Sequence, residues 1–202
     1  MNDKKFTEGR RDILKELGNI GSGNAVTALS QMLGERLELC MPQCSIVQES
    51  GLGGLIKDKN SMYVGVVLNV SGDLQSMIAL LLNKEFASMV LERLVGDKDV
   101  DVQQLDEMQK SAICEIGNIM CNSYYTAMSS MLGRTMNVSV PYMLVDTGER
   151  ILQMFIEKYM QKDEEMIFVK NTFFYNNQEL ESHILLHPSS VAVAEMLEKL
   201  EA

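Results

Sequence analysis

The sequence repeats itself. Shifted by 99 residues along its 202, Glu16-Leu17-Gly18-Asn19-Ile20 falls on Glu115-Ile116-Gly117-Asn118-Ile119, and the stretch from Thr27 to Gly34 falls on that from Thr126 to Gly133. Ten of the nineteen positions from Glu16 to Gly34 are identical, with no gap. The same shift carries Asp12 onto Ser111 and Pro42 onto Pro141. Such self-similarity marks copies of one structural unit that pack on each other. It predicts one domain built of two pseudo-equivalent halves, about 8–95 and 107–201.

Each half opens with a long helix. Ile13, Leu17, Ile20 and then Val26, Leu29, Leu33 recur at helical spacing. Gly34 stops the helix at the position where a left-handed residue is wanted, and Gly133 stops the second helix, about Glu107 to Leu132. Strands follow. Leu37 to Pro42 reads as one that either ends there or continues into Ile46 and Val47, with Pro42 at an edge or a bulge because it cannot donate a ladder hydrogen bond. Met62 to Val70 and Leu74 to Leu82 form a hairpin around Ser71-Gly72-Asp73. A helix capped by Asn83 runs to about Leu94, and Gly96 to Asp99 is a polar linker. In the second half Thr135 to Val140 is the first strand. Met166 to Tyr175 and Leu180 to Leu186 make a hairpin at Asn176-Asn177, and a closing helix runs from about Ser189 to Ala202. A helical stretch at about Glu149 to Met160 has no counterpart in the first half. The pattern predicts an α+β fold: a pseudo-twofold duplicated unit with a mostly antiparallel sheet and two long helices packed on it.

Composition narrows the partners. A net charge of −10 argues against nucleic acid and against an anionic membrane surface. The longest apolar runs, such as Met77 to Leu82, fall far short of the ~20 residues a membrane span needs. Met1 to Phe6 lacks the apolar segment of a signal peptide, so a cytoplasmic location is expected. Cys40, Cys44, Cys114 and Cys121 are expected to be reduced, buried thiols. With His183 and His187 alone no familiar zinc pattern can be assembled, and both read as structural residues of a strand and its exit. No bound cofactor or metal is expected.

The chemistry concentrates on the repeated helices. Asp12, Glu16 and Asn19 lie four and three residues apart, so they form one polar stripe on an otherwise apolar helix. Ser111, Glu115 and Asn118 repeat it. Both stripes precede a proline at the same interval, giving Asp/Ser-x3-Glu-x2-Asn-x22-Pro twice. Gly18, Gly21 and Gly23 surround the first stripe, and each costs ~1 kcal/mol in a helix relative to alanine. They therefore point to close packing or to the approach of a partner. One Glu-x2-Asn is a common accident of a solvated face; a duplicated four-residue pattern is not. Gly18 to Gly23 is no nucleotide loop, because it sits inside a helix, follows no strand and lacks a Gly-Lys-Ser/Thr element. Lys162 to Glu165 reads as a solvated turn.

This pattern resembles the signature of the CheC/CheX/FliY phosphatase family, and the strings Asp12 to Ala25 and Thr27 to Ser30 resemble its CheC version. CheX-like members carry one site and FliY-like members add a flagellar switch domain, so two sites in 202 residues resemble the CheC type. The resemblance implies a hydrolase that removes the aspartyl phosphate of the response regulator CheY. Asn19 and Asn118 would orient the attacking water, and Glu16 and Glu115 would anchor the helix through the partner's active-site lysine. Asp12 and Ser111 would support docking, and Pro42 and Pro141 would shape the adjoining strand. Mg2+ would belong to CheY. The resemblance also implies a second partner, the receptor deamidase CheD, which CheC regulates and which stimulates CheC. The residue types suit the task independently. In-line attack on phosphorus needs a positioned water, and a neutral amide supplies a donor and an acceptor without repelling the phosphoryl group. The alternative is a non-catalytic module that sequesters phosphorylated CheY or CheD; docking alone requires no pair of asparagines.

Overall fold

A computed structural model describes residues 2–48, 51, 54–73, 76–98, 100–160 and 164–188. The closing helix expected over 189–202, the strand start at Leu74, Asp99, and Lys162 and Asp163 lie outside that set. The first helix, α1, spans Asn2–Leu33. It ends at Gly34, whose φ of +64° is the left-handed conformation expected there. Strands β1 (Glu38–Leu39), β2 (Gln43–Gln48), β3 (Met62–Gly72) and β4 (Ser76–Asn83) follow, then helix α2 (Lys84–Leu94). Asn83 caps α2 by accepting a hydrogen bond from the Phe86 N–H at 3.0 Å.

The second half also opens with a long helix and two strands, and a helix then precedes its hairpin. Helix α3 (Glu107–Leu132) starts in a capping box, in which Asp106 accepts from the Gln109 N–H while the Gln109 side chain accepts from the Asp106 N–H. It stops at Gly133, φ +62°. Strands β5 (Met136–Val138) and β6 (Tyr142–Thr147), helix α4 (Gly148–Tyr159), and strands β7 (Glu165–Tyr175) and β8 (Gln178–Pro188) complete the described chain. Asn176 and Asn177, φ +47° and +63°, join β7 to β8 through the paired left-handed residues of a type I′ turn.

All strand pairs are antiparallel, and the fold is α+β. The sheet runs β1/β2–β7–β8–β4–β3–β5/β6. The edges are exchanged: β1 and β2 of the first half pair with β7 of the second, and β5 and β6 pair with β3 of the first. Both prolines sit in matching bulges. Phe173 pairs with Leu39 but Lys170 pairs with Gln43, so three steps on β7 face four on the edge. Val70 pairs with Val138 and Val67 with Tyr142, which repeats the offset around Pro141.

Strands β3 and β4 are buried on both sides, which is why they read as nearly continuous apolar runs. Val64, Val66, Leu68, Ile78 and Leu80 face α1, α2 and α3. Val67, Met77, Ala79 and Leu81 face α4, which contributes Ile151, Leu152 and Phe155.

The expected helical stretch at about Glu149 to Met160 is α4, which covers the sheet face opposite the long helices. Two expectations need correction. The strand proposed for Thr135 to Val140 is shorter, Met136–Val138, and a further strand, β6, follows the bulge at Pro141 and runs to Thr147. The cysteines are free, yet Cys40 is exposed at the edge bulge and Cys44 and Cys114 are only half-buried, leaving Cys121 as the buried thiol. Among the described residues no helix is long and apolar enough to cross a membrane.

Candidate functional site

Each long helix divides its surface. On α1 the side chains of Ile13, Leu14 and Leu17 enter the core, while Asp12, Glu16 and Asn19 are exposed. On α3 Ile113, Ile116 and Gly117 are buried, Ser111 and Glu115 are exposed, and Asn118 is half-buried. Both amides are thus reachable from solvent. The side chains of Glu16, Asn19 and Glu115 make no hydrogen bond or ion pair with another described residue, so a visiting molecule could engage them directly.

The glycine between each Glu and Asn sets how low the helix rides. A Cβ on Gly18 would lie 2.3 Å from the Cys44 Sγ and 3.5 Å from the Pro42 Cγ, so α1 rests on β2 at the motif proline. A Cβ on Gly117 would lie 2.4 Å from the Val66 Cγ1 of β3. Gly21 meets the ring of Tyr124 in α3, where a Cβ would be 2.5 Å from Cδ1. Gly23 has open space around it.

A buried polar knot fixes the two helices to each other and to the sheet. Ser22 of α1 donates to the Asn171 Oδ1 of β7 at 2.7 Å, Tyr124 of α3 donates to the same oxygen at 2.9 Å, and the two hydroxyls are 2.6 Å apart. Burial pushes the Tyr124 phenol above its ordinary value, so it remains a neutral donor. Burial also pushes the Cys44 thiol, under the first stripe, up to about 11, which leaves it inert as a nucleophile at neutral pH.

The sequence expectation misses several features here. Asn122 donates from Nδ2 to the Asn118 backbone carbonyl and to Asn118 Oδ1, both at 2.8 Å. Its counterpart in the first half is Gly23. The i, i+4 spacing was visible in the sequence, but the repeat comparison draws attention to matches and this is a mismatch. Met41 and Val140, which precede the two prolines at equivalent positions, are 79% and 85% exposed. His183 is a core residue as expected, stacked on Phe168 at 5.3 Å, and His187 lies 3.2 Å from Glu164. Among the described residues no three His, Cys, Asp or Glu side chains converge in a way that could hold a metal ion.

Two segments of the chain, residues 10–38 and 108–144, match the model of the CheC-like family. The first covers most of α1 and ends at Glu38, where β1 begins; the second covers nearly all of α3, then β5 and the start of β6. The chain is 28% identical over 185 residues to the CheY-P phosphatase CheC of Bacillus subtilis, spanning 90% of this chain and 88% of that protein. Its fold is similar to that of Thermotoga maritima FliY, with a TM-score of 0.71 over 95% of this chain and 96% of that one at 22% identity. It is also similar in fold to the CheX of a crystallised CheX–CheY–BeF3–Mg2+ complex from Borrelia burgdorferi, with a TM-score of 0.55 and 20% identity over 84% and 96% of the two chains.

Proposed function

We propose, from the match of two segments to the CheC-like family model and the 28% identity to a CheY-P phosphatase CheC, that this chain is a CheC-like phosphatase hydrolysing the aspartyl phosphate of a CheY-type response regulator, with one site on each long helix. The observation that carries the reading is the pair of outward-facing Glu/Asn stripes. Asn19 and Asn118 stand one turn from Glu16 and Glu115, all four open to a visitor, on helices locked down by Gly18, Gly117 and the Ser22–Tyr124–Asn171 knot. The CheX of the Borrelia burgdorferi structure is crystallised with CheY and BeF3, a phosphoryl mimic, which supports a receiver domain as the visitor.

The chemistry follows from the side chains available. The visitor brings the aspartyl phosphate and its own Mg2+. The amide of Asn19 or Asn118 holds a water in line with the phosphorus–carboxylate bond, accepting from the water through Oδ1 and offering Nδ2 to a phosphoryl oxygen. Glu16 or Glu115 pairs with a lysine of the visitor and fixes the depth of insertion. A carboxylate as general base beside phosphate would suffer like-charge repulsion, so the Glu is assigned to anchoring. Asp12 and Ser111, one turn further back, support docking. Pro42 and Pro141 hold the edge bulges, and Pro42 lies beside α1 at Gly18. On this reading the chain acts in the cytoplasm beside its substrate. CheD is a second partner on the strength of the family resemblance alone.

The test is phosphate release from phosphorylated CheY with this chain at a small fraction of the CheY concentration. Many turnovers per chain are expected. Release that is unaccelerated, or slowed only when the chain is stoichiometric, would instead identify a module that sequesters its partner.

A further inference from the structure

The two stripes match in sequence but not in their support. Asn122 sits one turn after Asn118 on α3, and its Nδ2 lies 2.8 Å from both the backbone carbonyl and the side-chain Oδ1 of Asn118. A carbonyl oxygen only accepts, so the Asn122 atom facing it is the NH2 group, and the Asn118 atom facing that NH2 group is the amide oxygen. The orientation of both amides is therefore fixed by chemistry. Asn118 keeps one lone pair on Oδ1 and both hydrogens on Nδ2 for a ligand. In α1 the equivalent residue is Gly23, around which nothing lies within 4 Å of a built Cβ. Asn19 is exposed and has no side-chain partner among the described residues.

We propose that Asn122 is a positioning residue that pre-orients Asn118, and that Gly23 leaves Asn19 free to rotate, so the α3 site turns over faster than the α1 site. This rests on the phosphatase reading above. Ordering a loose side chain is a cost met at binding or in the transition state, and a prior hydrogen bond removes much of it. Because the side chain of Asn122 is bonded to Asn118 and is proposed to act through it, its effect belongs in kcat and not in KM.

The experiment isolates each site. Asn19→Ala leaves the α3 site and Asn118→Ala leaves the α1 site; both are assayed by phosphate release from phosphorylated CheY. In the Asn19→Ala parent, adding Asn122→Ala should lower kcat roughly two- to tenfold with KM unchanged. Alanine is the stronger helix former, so a melted helix cannot explain such a loss. In the Asn118→Ala parent, adding Gly23→Asn should raise kcat by a similar factor. In NMR spectra of the full chain, the Asn118 side-chain NH2 should be more ordered than that of Asn19, and Asn122→Ala should abolish the difference. The proposal is overturned if kcat is unchanged by both additions, if the change falls only in KM, or if the two amides are equally mobile. If the wild-type chain accelerates no release, the phosphatase reading fails and this inference with it. If both parents behave as single-site enzymes while Asn122→Ala and Gly23→Asn do nothing, only this inference fails.

Discussion

Gly117 lies directly against Val66: the Cβ it lacks would stand 2.5 Å from the Val66 Cβ and 2.4 Å from its Cγ1. No rotamer of Val66 moves its Cβ, so a side chain at residue 117 must push α3 off β3. Gly117→Ala is expected to destabilise the protein by about 1–3 kcal/mol through overpacking, outweighing the ~1 kcal/mol that alanine gains in helix propensity. Gly18→Ala should cost less, because the atom it meets is the terminal Sγ of Cys44, which can swing about χ1. Urea unfolding of both variants checks the order. Equal stability of Gly117→Ala and wild type would show that the helix does not rest on the sheet at this point.

The Ser22–Tyr124–Asn171 knot predicts a polar contribution to helix placement. Tyr124→Phe keeps the ring that fills the space beside Gly21 but removes the hydroxyl 2.6 Å from Ser22 and 2.9 Å from Asn171. The loss should be about 1–3 kcal/mol, because buried polar groups are left under-satisfied. Unfolding free energies measured in urea would contradict this if the variant matched wild type.

His183 predicts a pH dependence. Its ring is fully buried in β8 and stacked on Phe168, and burial lowers its pKa from the ordinary 6.5 to about 4. The unfolded imidazole takes up a proton below 6.5 and the folded one does not until about 4, so the stability from keeping it neutral is complete above 6.5 and is lost as pH falls through this window. The size is on the order of 3 kcal/mol at most. His183→Leu should flatten the stability profile between pH 6.5 and 4 relative to wild type. Parallel profiles for the two proteins would contradict the assignment.

The charges of Glu16 and Glu115 carry their own test. Glu16→Gln with Glu115→Gln preserves shape and removes the anions proposed to pair with a lysine of the visitor. KM for phosphorylated CheY should rise about tenfold or more, and the sensitivity of KM to salt should fall. An unchanged KM would remove these residues from the docking role.

The parts of this fold written in local spacing were legible in the sequence. The two long helices, their glycine stops, both hairpins and the Asn176-Asn177 turn follow from periodicity and from residues that tolerate positive φ. The polar stripes were legible for the same reason, since residues three and four apart share a helical face. What the sequence did not reveal is long-range. The pairing of β2 with β7 joins residues more than a hundred apart, and nothing in the alternation of Gln43–Gln48 names its partner. Strand β6 was hidden behind Pro141, which reads as an end although the bulge carries the strand past it. The packing of α4 on the opposite face from α1 depends on which side of the sheet the β6 exit leaves, and periodicity is silent on that. Asn122 is not marked by the repeat, because it is one of the positions where the two copies differ.

The central claim is that the outward-facing amides of Asn19 and Asn118 perform the hydrolytic step. Phosphate release from phosphorylated CheY should be compared for wild type and for Asn19→Ala with Asn118→Ala, with CheY binding measured in parallel. The account predicts that the double variant binds CheY nearly as well as wild type but no longer accelerates release. Full acceleration by the double variant would contradict it.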